Sequence, residues 1–323
     1  MKNKIVVAIT AGELSGISGI IILKALQHRE IIDIDPIIYG DQYFFNSLIK
    51  KYPQFKNIKL NIYDPVNLNI ELSSLGRPSI KTGKGAGEYF SAAIKDAIDG
   101  KIDAIATAPL DKDNLQKGGF NFTGHTTMLQ KLTNSKKVVM MLYGKKLRVA
   151  LLTIHKPITE ISRNITEKSF TEIVEIIHKD MIDRFKIKNP SIAVLGLNPH
   201  AGENGKLGKE EQEIFIPTIK KLQKKGINIE GPYPADTYFY KIYKKYDVTL
   251  AAYHDQGLIP LKMLHFDDGV NITLGSKVIR TSVDHGTAYD IADSLVASEK
   301  SMVNAIKEAY RIASLKSNSH ISE

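Results

Sequence analysis

Short apolar runs alternate with longer amphipathic stretches through most of this 323-residue chain. A chain that alternates in this way usually forms a largely parallel β-sheet covered by helices. The segment Gly144-Lys145-Lys146 separates two neighbouring apolar runs and is typical of a hairpin turn. We therefore predict an α/β fold whose sheet is mixed.

The periodicity of apolar residues predicts where the elements lie. Strands are predicted at residues 5–10, 36–39, 58–62, 104–107, 138–143, 147–154, 192–197 and 248–252. Helices are predicted at residues 18–27, 85–97, 167–185, 209–225 and 289–297. Thr166 is the predicted cap of the third helix. Because no long linker interrupts the pattern, composition alone does not mark a domain border.

Composition and charge exclude several classes of protein. The chain has no cysteine, which excludes disulfides and thiolate metal sites and favours the cytoplasm. It has no apolar run of about 18 residues or more, so no membrane span is expected. The net charge of +9 comes mostly from Lys, since only seven of the 44 basic residues are Arg. We interpret this excess as a solvated surface that attracts anionic substrates, not as a nucleic-acid site.

Three of the nine histidines, His155, His200 and His254, directly follow hydrophobic strands. Parallel strands bring such positions to one edge of a sheet, where open α/β folds bind ligands. Three neutral imidazoles there could hold a divalent ion such as zinc and leave positions open for substrate. Since no local spacing fixes this geometry, the alternative that each histidine stabilises its own loop stays open.

Nearby carboxylates have two interpretations each. Asp255 could orient His254, bind the ion itself, or cap the helix that follows. For Glu203 we favour a helix cap. Asp236 lies in a turn rich in proline, and it is either a helix cap or a carboxylate of the site.

Lys262, Asn271 and Arg280 form a candidate anion-binding set. Arg280 can bind phosphate or carboxylate through two parallel hydrogen bonds. Lys262 lies in an apolar run, where it could instead extend its amine to solvent.

Two glycine-containing loops are further candidates. Residues 12–19 are interpreted as a tight strand-to-helix turn, with a phosphate cradle as the alternative. Residues 284–288 are a candidate nucleotide-binding turn.

These segments resemble the 4-hydroxythreonine-4-phosphate dehydrogenase family from about residue 5 to about residue 297. The motifs that carry the resemblance occur in the family's order, at residues 106–112, 122–126, 197–203, 231–237, 253–257, 269–275 and 280–288. The chain departs from the family at Glu13-Leu14-Ser15, where Asp-Pro-Ala is usual, and at Asp111, where Asn is usual. The first departure leaves the detail of this loop, and with it the choice of substrate, open.

The resemblance implies a role for particular residues of this chain. The residues that correspond to ligands of one divalent ion (Zn, Mg or Co) are His155, His200 and His254. Those that correspond to substrate-binding positions are His125, Thr126, Lys262, Asn271 and Arg280. Those that are similar to the turn holding the adenosine end of NAD or NADP in isocitrate and isopropylmalate dehydrogenases are His285, Gly286, Thr287 and Ala288. The general base stays open, with Lys112 and Asp236 as candidates.

The resemblance also implies an architecture. It is a homodimer of chains with two α/β/α lobes, similar to isocitrate and isopropylmalate dehydrogenases. The first lobe would comprise residues 1–130 and 266–323. The second lobe, residues 131–265, would carry the dimer contacts. Active sites would lie in the interlobe cleft at the subunit interface.

The implied activity is NAD-dependent oxidation and decarboxylation of 4-phosphohydroxy-L-threonine to 3-amino-2-oxopropyl phosphate, a precursor of pyridoxal 5′-phosphate. A bound divalent ion would lower the pKa of the substrate hydroxyl and promote loss of carbon dioxide. One alternative is the same chemistry on a four-carbon sugar-acid phosphate, either erythronate or threonate 4-phosphate. Two alternatives from other classes are a non-catalytic protein that binds phosphorylated ligands and a metal-dependent hydrolase.

Overall fold

The computed structural model describes residues 4–317, and the chain divides into two compact units. The first unit contains the residues up to Lys136 and those from Ser276 onward, and the second is Lys137–Gly275. Relative to the expected borders, residues 131–136 fall in the first unit and residues 266–275 in the second. Both units combine strands with helices, which confirms the predicted α/β class.

The first unit contains a parallel sheet with the strand order β3-β2-β1-β4-β11. The bounds of its strands are β1 (Val7–Thr10), β2 (Ile37–Tyr39), β3 (Ile62–Tyr63), β4 (Ala104–Thr107) and β11 (Ile279–Val283). The bounds of its helices are α1 (Ser18–Leu26), α2 (Arg29–Ile32), α3 (Gln42–Lys51), α4 (Ile80–Ile98), α5 (Lys112–Lys117), α6 (His125–Leu132) and α12 (Lys300–Ser317). Short 3₁₀ segments lie at Pro53–Phe55, Leu72–Ser74 and Tyr289–Ile291.

Helices cover the strands of this sheet, and β1, β4 and β11 are buried along their whole length. Helix α4 begins where Ser79 and Thr82 each accept a hydrogen bond from the other's backbone, so both ends of the capping box are formed. It packs closely on α5, because a Cβ at Gly83 would lie 1.9 Å from the carbonyl oxygen of Asn114. That close approach requires glycine.

The second unit contains a mixed sheet with the order β10-β5-β6-β9-β7-β8. The bounds of its strands are β5 (Val139–Gly144), β6 (Leu147–Leu151), β7 (Ile192–Leu195), β8 (Ile229–Tyr233), β9 (Val248–Ala251) and β10 (Val270–Leu274). The bounds of its helices are α7 (Ile158–Asn164), α8 (Glu167–Asp183), α9 (Ile216–Lys224), α10 (Ala235–Lys241) and α11 (His254–His265). Two 3₁₀ segments, Pro199–Gly205 and Ile242–Lys245, and one π-helical segment, Glu211–Phe215, complete it.

The pairing of these strands explains why the sheet is mixed. Strand β5 is antiparallel to β10 and to β6, and the β5–β6 pair is the predicted hairpin around Lys145. Strands β6, β9, β7 and β8 are parallel to one another, so their carboxyl ends meet at one edge of the sheet. The core of these strands combines aliphatic residues such as Leu151, Leu195 and Leu261 with the rings of Tyr238 and Tyr243.

Most predicted elements are confirmed, with two clear exceptions. The predicted strand at 58–62 is wrong except for its last residue, since β3 is Ile62–Tyr63. The predicted helix at 289–297 is also wrong, because only the 3₁₀ turn Tyr289–Ile291 forms there. Thr166 caps α8 as predicted, and its hydroxyl accepts a hydrogen bond from the Ser169 amide. Within residues 4–317, no helix combines the length and the hydrophobicity needed to cross a membrane.

Candidate active site

Three loops interlock at the carboxyl edge of the first unit's sheet. They follow β1, β4 and β11, which are adjacent parallel strands. The amide of Glu13 donates to the carbonyl oxygen of Pro109 at 2.9 Å, and the amide of Ile17 donates to that of Thr287 at 2.9 Å. The loops therefore form one continuous surface of this unit, at the position where parallel sheets bind ligands.

Glu13, where the sequence departs from the family, is part of this framework. Its side chain is fully buried. One carboxylate oxygen accepts hydrogen bonds from the amide and the hydroxyl of Ser15, and the other accepts one from Nδ2 of Asn114 at 3.1 Å. A strand-to-helix turn was predicted at residues 12–19 and forms at residues 12–17, since α1 begins at Ser18. The Glu13 carboxyl connects this turn to α5.

The predicted substrate-binding residues His125 and Thr126 are the first two residues of α6. The residue before them, Gly124, has a φ of 141°, which favours glycine, and it has no side chain to cap the helix. The first N–H groups of a helix lack intrahelical partners, and this end of a helix attracts anions. The side chain of Lys112 adds positive charge here, because its Cε lies 3.7 Å from where a Cβ of Gly124 would be.

The imidazole of His125 is only 9% exposed and contacts the ring of Phe90 at a centroid distance of 4.7 Å. Its Nε2 atom is buried, and no group among residues 4–317 forms a hydrogen bond with it. Burial and, secondarily, the charge of Arg280 hold the pKa of His125 well below its usual value of 6.5. The ring is therefore neutral at neutral pH and has a nitrogen available for a ligand.

Arg280 lies in β11 and is 2% exposed, and its Nη2 donates a 2.8 Å hydrogen bond to the hydroxyl of Thr107. Burial lowers the pKa of Arg280 to about 9, so the guanidinium remains charged at neutral pH. Removing such a charge from water is costly, and a bound anion would offset part of that cost. His125, Arg280, Lys112 and the start of α6 are therefore a candidate anion-binding site, which we call the α6 anion site.

The other two residues of the predicted anion-binding set belong to the second unit. Asn271 lies in β10, and its Oδ1 is buried without a hydrogen-bond partner among residues 4–317. Lys262 lies in α11, with its Nζ 5.7 Å from the centroid of the Phe266 ring. A buried amide oxygen and a partly buried ammonium are suitable contacts for a polar ligand.

The candidate nucleotide turn, His285, Gly286, Thr287 and Ala288, follows β11 in the first unit. His285 and Gly286 are exposed, and Ala288 has a left-handed backbone with a φ of 43°. The turn is packed against the first loop, because a Cβ at Gly16 would lie 2.4 Å from the carbonyl oxygen of Thr287. One part of the turn is therefore exposed to solvent, while its other face is fixed to the protein.

The three predicted metal ligands lie at one edge of the second unit's sheet, because His155, His254 and His200 follow the adjacent parallel strands β6, β9 and β7. The rings of His155 and His254 are close together, with centroids 5.7 Å apart. Nδ1 of His254 contacts a carboxylate oxygen of Asp255 at 2.7 Å. A carboxylate accepts, so Nδ1 carries the hydrogen and Nε2 keeps its lone pair.

His200 is placed differently from these two. It is exposed and begins a left-handed turn in which residues 200–204 all have φ between 41° and 78°. Each non-glycine residue in this conformation costs roughly 1–2 kcal/mol, so the surrounding structure must stabilise the turn. The side chain of His200 consequently projects from a strained segment.

The fit of these residues to a metal ion can be judged from their arrangement. In the part of the chain that the structure describes, no three His or carboxylate side chains are already arranged to hold an ion. The neighbouring pair His155 and His254 supplies two imidazoles, and the loop of His200 follows the next strand of the same edge. The donor types fit zinc or a similar divalent ion.

The remaining predicted carboxylates have different outcomes. Asp255 orients His254, as one of its interpretations required. Glu203 does not cap a helix, because it lies inside the left-handed turn. Asp236 is not a cap either, since Pro234 is the N-cap of α10 and Asp236 lies exposed in the first turn.

One buried carboxyl near this edge was missed by the sequence analysis. Glu211 is fully buried in the segment that leads into α9 and contacts the loop that carries His200. A signal for it existed, because Glu211 shares the helical spacing of the buried residues Phe215, Thr218 and Leu222. The run Glu210-Glu211-Gln212-Glu213 looks instead like a solvated surface.

Comparison with known proteins identifies strong similarities over nearly the whole chain. A profile described as pyridoxal phosphate biosynthetic protein PdxA matches residues 32–309. The 4-hydroxythreonine-4-phosphate dehydrogenase of a Sulfurihydrogenibium species is 40% identical over 315 residues, which are 94% of this chain and 96% of that protein. The D-threonate 4-phosphate dehydrogenase of Cupriavidus necator is 39% identical over 324 residues, covering 95% and 97%. The crystal structure of a 4-hydroxythreonine-4-phosphate dehydrogenase from Klebsiella pneumoniae is 33% identical with a TM-score of 0.87, covering 96% of this chain and 100% of that one.

Proposed function

The chain belongs to the pyridoxal phosphate biosynthetic protein PdxA family, and we propose that it oxidises and decarboxylates 4-phosphohydroxy-L-threonine with NAD or NADP as the hydride acceptor. The products are 3-amino-2-oxopropyl phosphate, carbon dioxide and the reduced dinucleotide. The first of these is a precursor of pyridoxal 5′-phosphate. The observation that carries the proposal is the α6 anion site, in which His125 and Arg280 are both buried and the charge of Arg280 contributes to lowering the pKa of His125.

The α6 anion site is assigned to the substrate phosphate. A phosphate dianion suits a helix N-terminus that lacks a capping side chain, with Thr126 in its first turn. The Arg280 guanidinium would bind phosphate oxygens, and Nε2 of His125 would accept a hydrogen from a singly protonated phosphate or, once protonated itself, donate one. Asn271 and Lys262, in the second unit, are assigned to the polar groups of the amino acid portion.

His155, His200 and His254 are assigned to one divalent ion, and residues 285–288 to the adenosine end of the dinucleotide. When bound, the ion would supply a Lewis acid, and the dinucleotide would accept a hydride. The chain's own contribution at this edge is orientation. Asp255 fixes the tautomer of His254, so that Nε2 presents its lone pair. Because Lys112 is part of the α6 anion site, we assign it to phosphate binding and keep Asp236 as the candidate general base.

We also propose that two copies of the chain associate through α11. Ile259 and Met263 of this helix and its C-cap residue Phe266 are 59%, 81% and 76% exposed and lie three or four residues apart. An exposed apolar stripe of this kind usually contacts another protein surface, and a symmetric dimer buries the same patch of both subunits. Met263→Lys should lower the sedimentation coefficient from that of a dimer to that of a monomer.

The test is NADH formation from 4-phosphohydroxy-L-threonine, with and without a chelator, beside erythronate and threonate 4-phosphates. Turnover of the amino substrate that the chelator abolishes is expected. The Cupriavidus necator relative favours the second candidate, D-threonate 4-phosphate, and turnover of that compound alone would replace the first. Binding without turnover would point to a phospho-ligand-binding protein, and phosphate release without NAD would point to a hydrolase.

Arg280→Lys tests the assignment of the phosphate site. It keeps the positive charge but loses the paired hydrogen bonds, so KM should rise by roughly tenfold or more while the affinity for NAD is unchanged. Arg29→Lys, at an exposed position on α2, is the matched control and should leave both values unchanged. An unchanged KM in Arg280→Lys would contradict the assignment.

A further inference from the structure

The left-handed turn that carries His200 is attached to a single buried carboxyl. One oxygen of Glu211 accepts a hydrogen bond from the backbone amide of Asn198 at 2.8 Å. The other oxygen accepts one from the side-chain amide of Asn198 at 2.9 Å. Asn198 comes two residues before His200, so the carboxyl fixes the chain where the turn begins.

Two glycines allow the turn to approach Glu211. A Cβ at Gly202, inside the turn, would lie 2.7 Å from Oε2 of Glu211. A Cβ at Gly196, at the end of β7, would lie 3.3 Å from its Oε1. The Glu211 carboxyl therefore lies in the space that the turn encloses. Gly202 has a positive φ and no Cβ, so the turn can pass close to this carboxyl.

The neighbouring Glu210 has a different role. Its carboxylate accepts hydrogen bonds from Nδ2 of Asn198 at 2.8 Å and from the hydroxyl of Ser162 at 2.7 Å. The bond from Ser162 is the largest cause that holds the pKa of Glu210 below its usual value, and the bond from Asn198 adds to it. Glu210 is partly exposed, and its bond to Asn198 comes from the side chain of that residue. Glu211 is fully buried and also accepts a hydrogen bond from the backbone of Asn198.

A buried carboxyl on the apolar face of a helical segment is a costly choice for stability alone, because an apolar side chain there would avoid the desolvation cost. We propose that Glu211 is a positioning residue for His200: its carboxyl holds residues 198–204 in the left-handed conformation that sets where the imidazole lies. This inference rests on the proposed function, because it gives His200 a part in metal binding and turnover.

The first measurement needs neither substrate nor metal. Hydrogen exchange of residues 198–207 is compared in the metal-free wild type, in Glu211→Gln and in Glu213→Gln. Glu211→Gln replaces an acceptor oxygen with a donor group, so exchange should accelerate by about tenfold, as expected for losing one buried hydrogen bond. Glu213 is exposed on the same segment, so Glu213→Gln should leave exchange unchanged.

The second measurement separates positioning from stability. Glu211→Gln should lower the affinity for Co²⁺, titrated alone into metal-free protein, by about tenfold or more, the usual effect of losing a group that orients a ligand. The kcat for the phosphorylated substrate should fall by a similar factor. KM should stay within about twofold, because the phosphate is bound by the first unit.

A rescue experiment adds a result that a purely structural role would not give. Glycine adopts positive φ without the cost of a Cβ, so Ala201→Gly in the Glu211→Gln background should restore part of the Co²⁺ affinity and of kcat. If Glu211→Gln does not fold, Gly202→Ala perturbs the same contact from the other side and should reproduce the loss.

The outcomes distinguish this inference from the proposed function. Co²⁺ affinity and turn exchange within about twofold of wild type in Glu211→Gln would overturn the positioning role, whatever happens to the melting temperature. A wild-type protein that forms no NADH would overturn the proposed function, while the exchange and Co²⁺ measurements would still decide the role of Glu211.

Discussion

The hydroxyl of Tyr289 donates a 2.8 Å hydrogen bond to Oδ2 of Asp111. The other oxygen of this carboxylate accepts a hydrogen bond from the amide of Asn114 at 2.8 Å, which caps α5. Tyr289 directly follows the turn at residues 285–288. The carboxylate therefore connects that turn to α5 at a position where the family usually has Asn.

The first prediction uses this bond. Tyr289→Phe removes the hydroxyl but keeps the ring, so it frees one side of the turn proposed to bind the dinucleotide. The Kd for NAD should rise by roughly three- to tenfold, in line with the loss of one hydrogen bond to a charged group. Calorimetric titration of NAD measures it. Tyr43→Phe, at an exposed position of α3, is the control, and equal Kd values in the two variants would contradict a role for the turn.

The strands that the sequence predicted are those whose burial shows in their composition. Strand β4, Ala104–Thr107, was predicted at its observed bounds, and every residue in it is buried. Strands β10 and β11 were not predicted, because Asn271 and Arg280 interrupt their apolar character. Polar residues enter such strands only when tertiary partners or a ligand satisfy them, and local sequence does not reveal those partners.

Helices show the same limit. Helix α11 contains Gly257 and Pro260, residues that local propensity assigns to turns, yet the helix packs against β6 and β9. Helix α12 was not predicted either, although its apolar residues, including Met302, Ile306 and Ala309, have helical spacing in the sequence. Helix α11 forms because it is buried against the sheet, and this burial outweighs the low helix propensity of Gly257 and Pro260.

For the site, the sequence predicted the loops but not their supports. The position of His155, His200 and His254 after strands could be predicted, because a strand followed by a loop is a local sequence pattern. The structure shows that these strands are adjacent. The sequence analysis assigned no role to Glu211 and Gln256. Each forms a hydrogen bond with a backbone group just after β7, a strand to which it does not belong. Such contacts depend on strand order, which one sequence does not specify.

Gln256 carries the second prediction. Its Oε1 accepts a hydrogen bond from the amide of Ala252 at 2.7 Å, and its Nε2 donates one to the carbonyl oxygen of Gly196 at 2.6 Å. It thus connects the ends of β9 and β7. Gln256→Leu leaves both buried backbone groups unpaired, at about 1–3 kcal/mol each. Urea unfolding should show Gln256→Glu, which keeps the acceptor, losing less than Gln256→Leu, and equal losses would contradict the bridge.

The third prediction concerns the ion pair that supports β10. Oδ2 of Asp180 lies 3.3 Å from Nε of Arg184 and accepts a hydrogen bond from the Gly275 amide at 2.8 Å. Both side chains are about nine-tenths buried. Asp180→Ala leaves the guanidinium buried without its carboxylate and should lower the free energy of unfolding by about 3–5 kcal/mol. Asp183→Asn, exposed on the same helix, should cost little, and a small effect of Asp180→Ala would disprove the importance of the pair.

The last prediction concerns pH and His125. Because burial holds its folded-state pKa well below 6.5, the unfolded chain binds a proton below about pH 6.5 that the folded protein does not. The contribution of His125 to the free energy of unfolding is therefore fully present above about pH 6.5. It falls as the pH decreases, by up to about 1.4 kcal/mol per pH unit. The free energy of unfolding should fall more steeply between pH 7.5 and 5.5 in the wild type than in His125→Gln.

Inorganic phosphate should reduce the wild-type slope, because an anion beside the ring favours the protonated imidazole. Parallel slopes in the two proteins would mean that the imidazole is not held neutral, and a slope insensitive to phosphate would place the anion elsewhere.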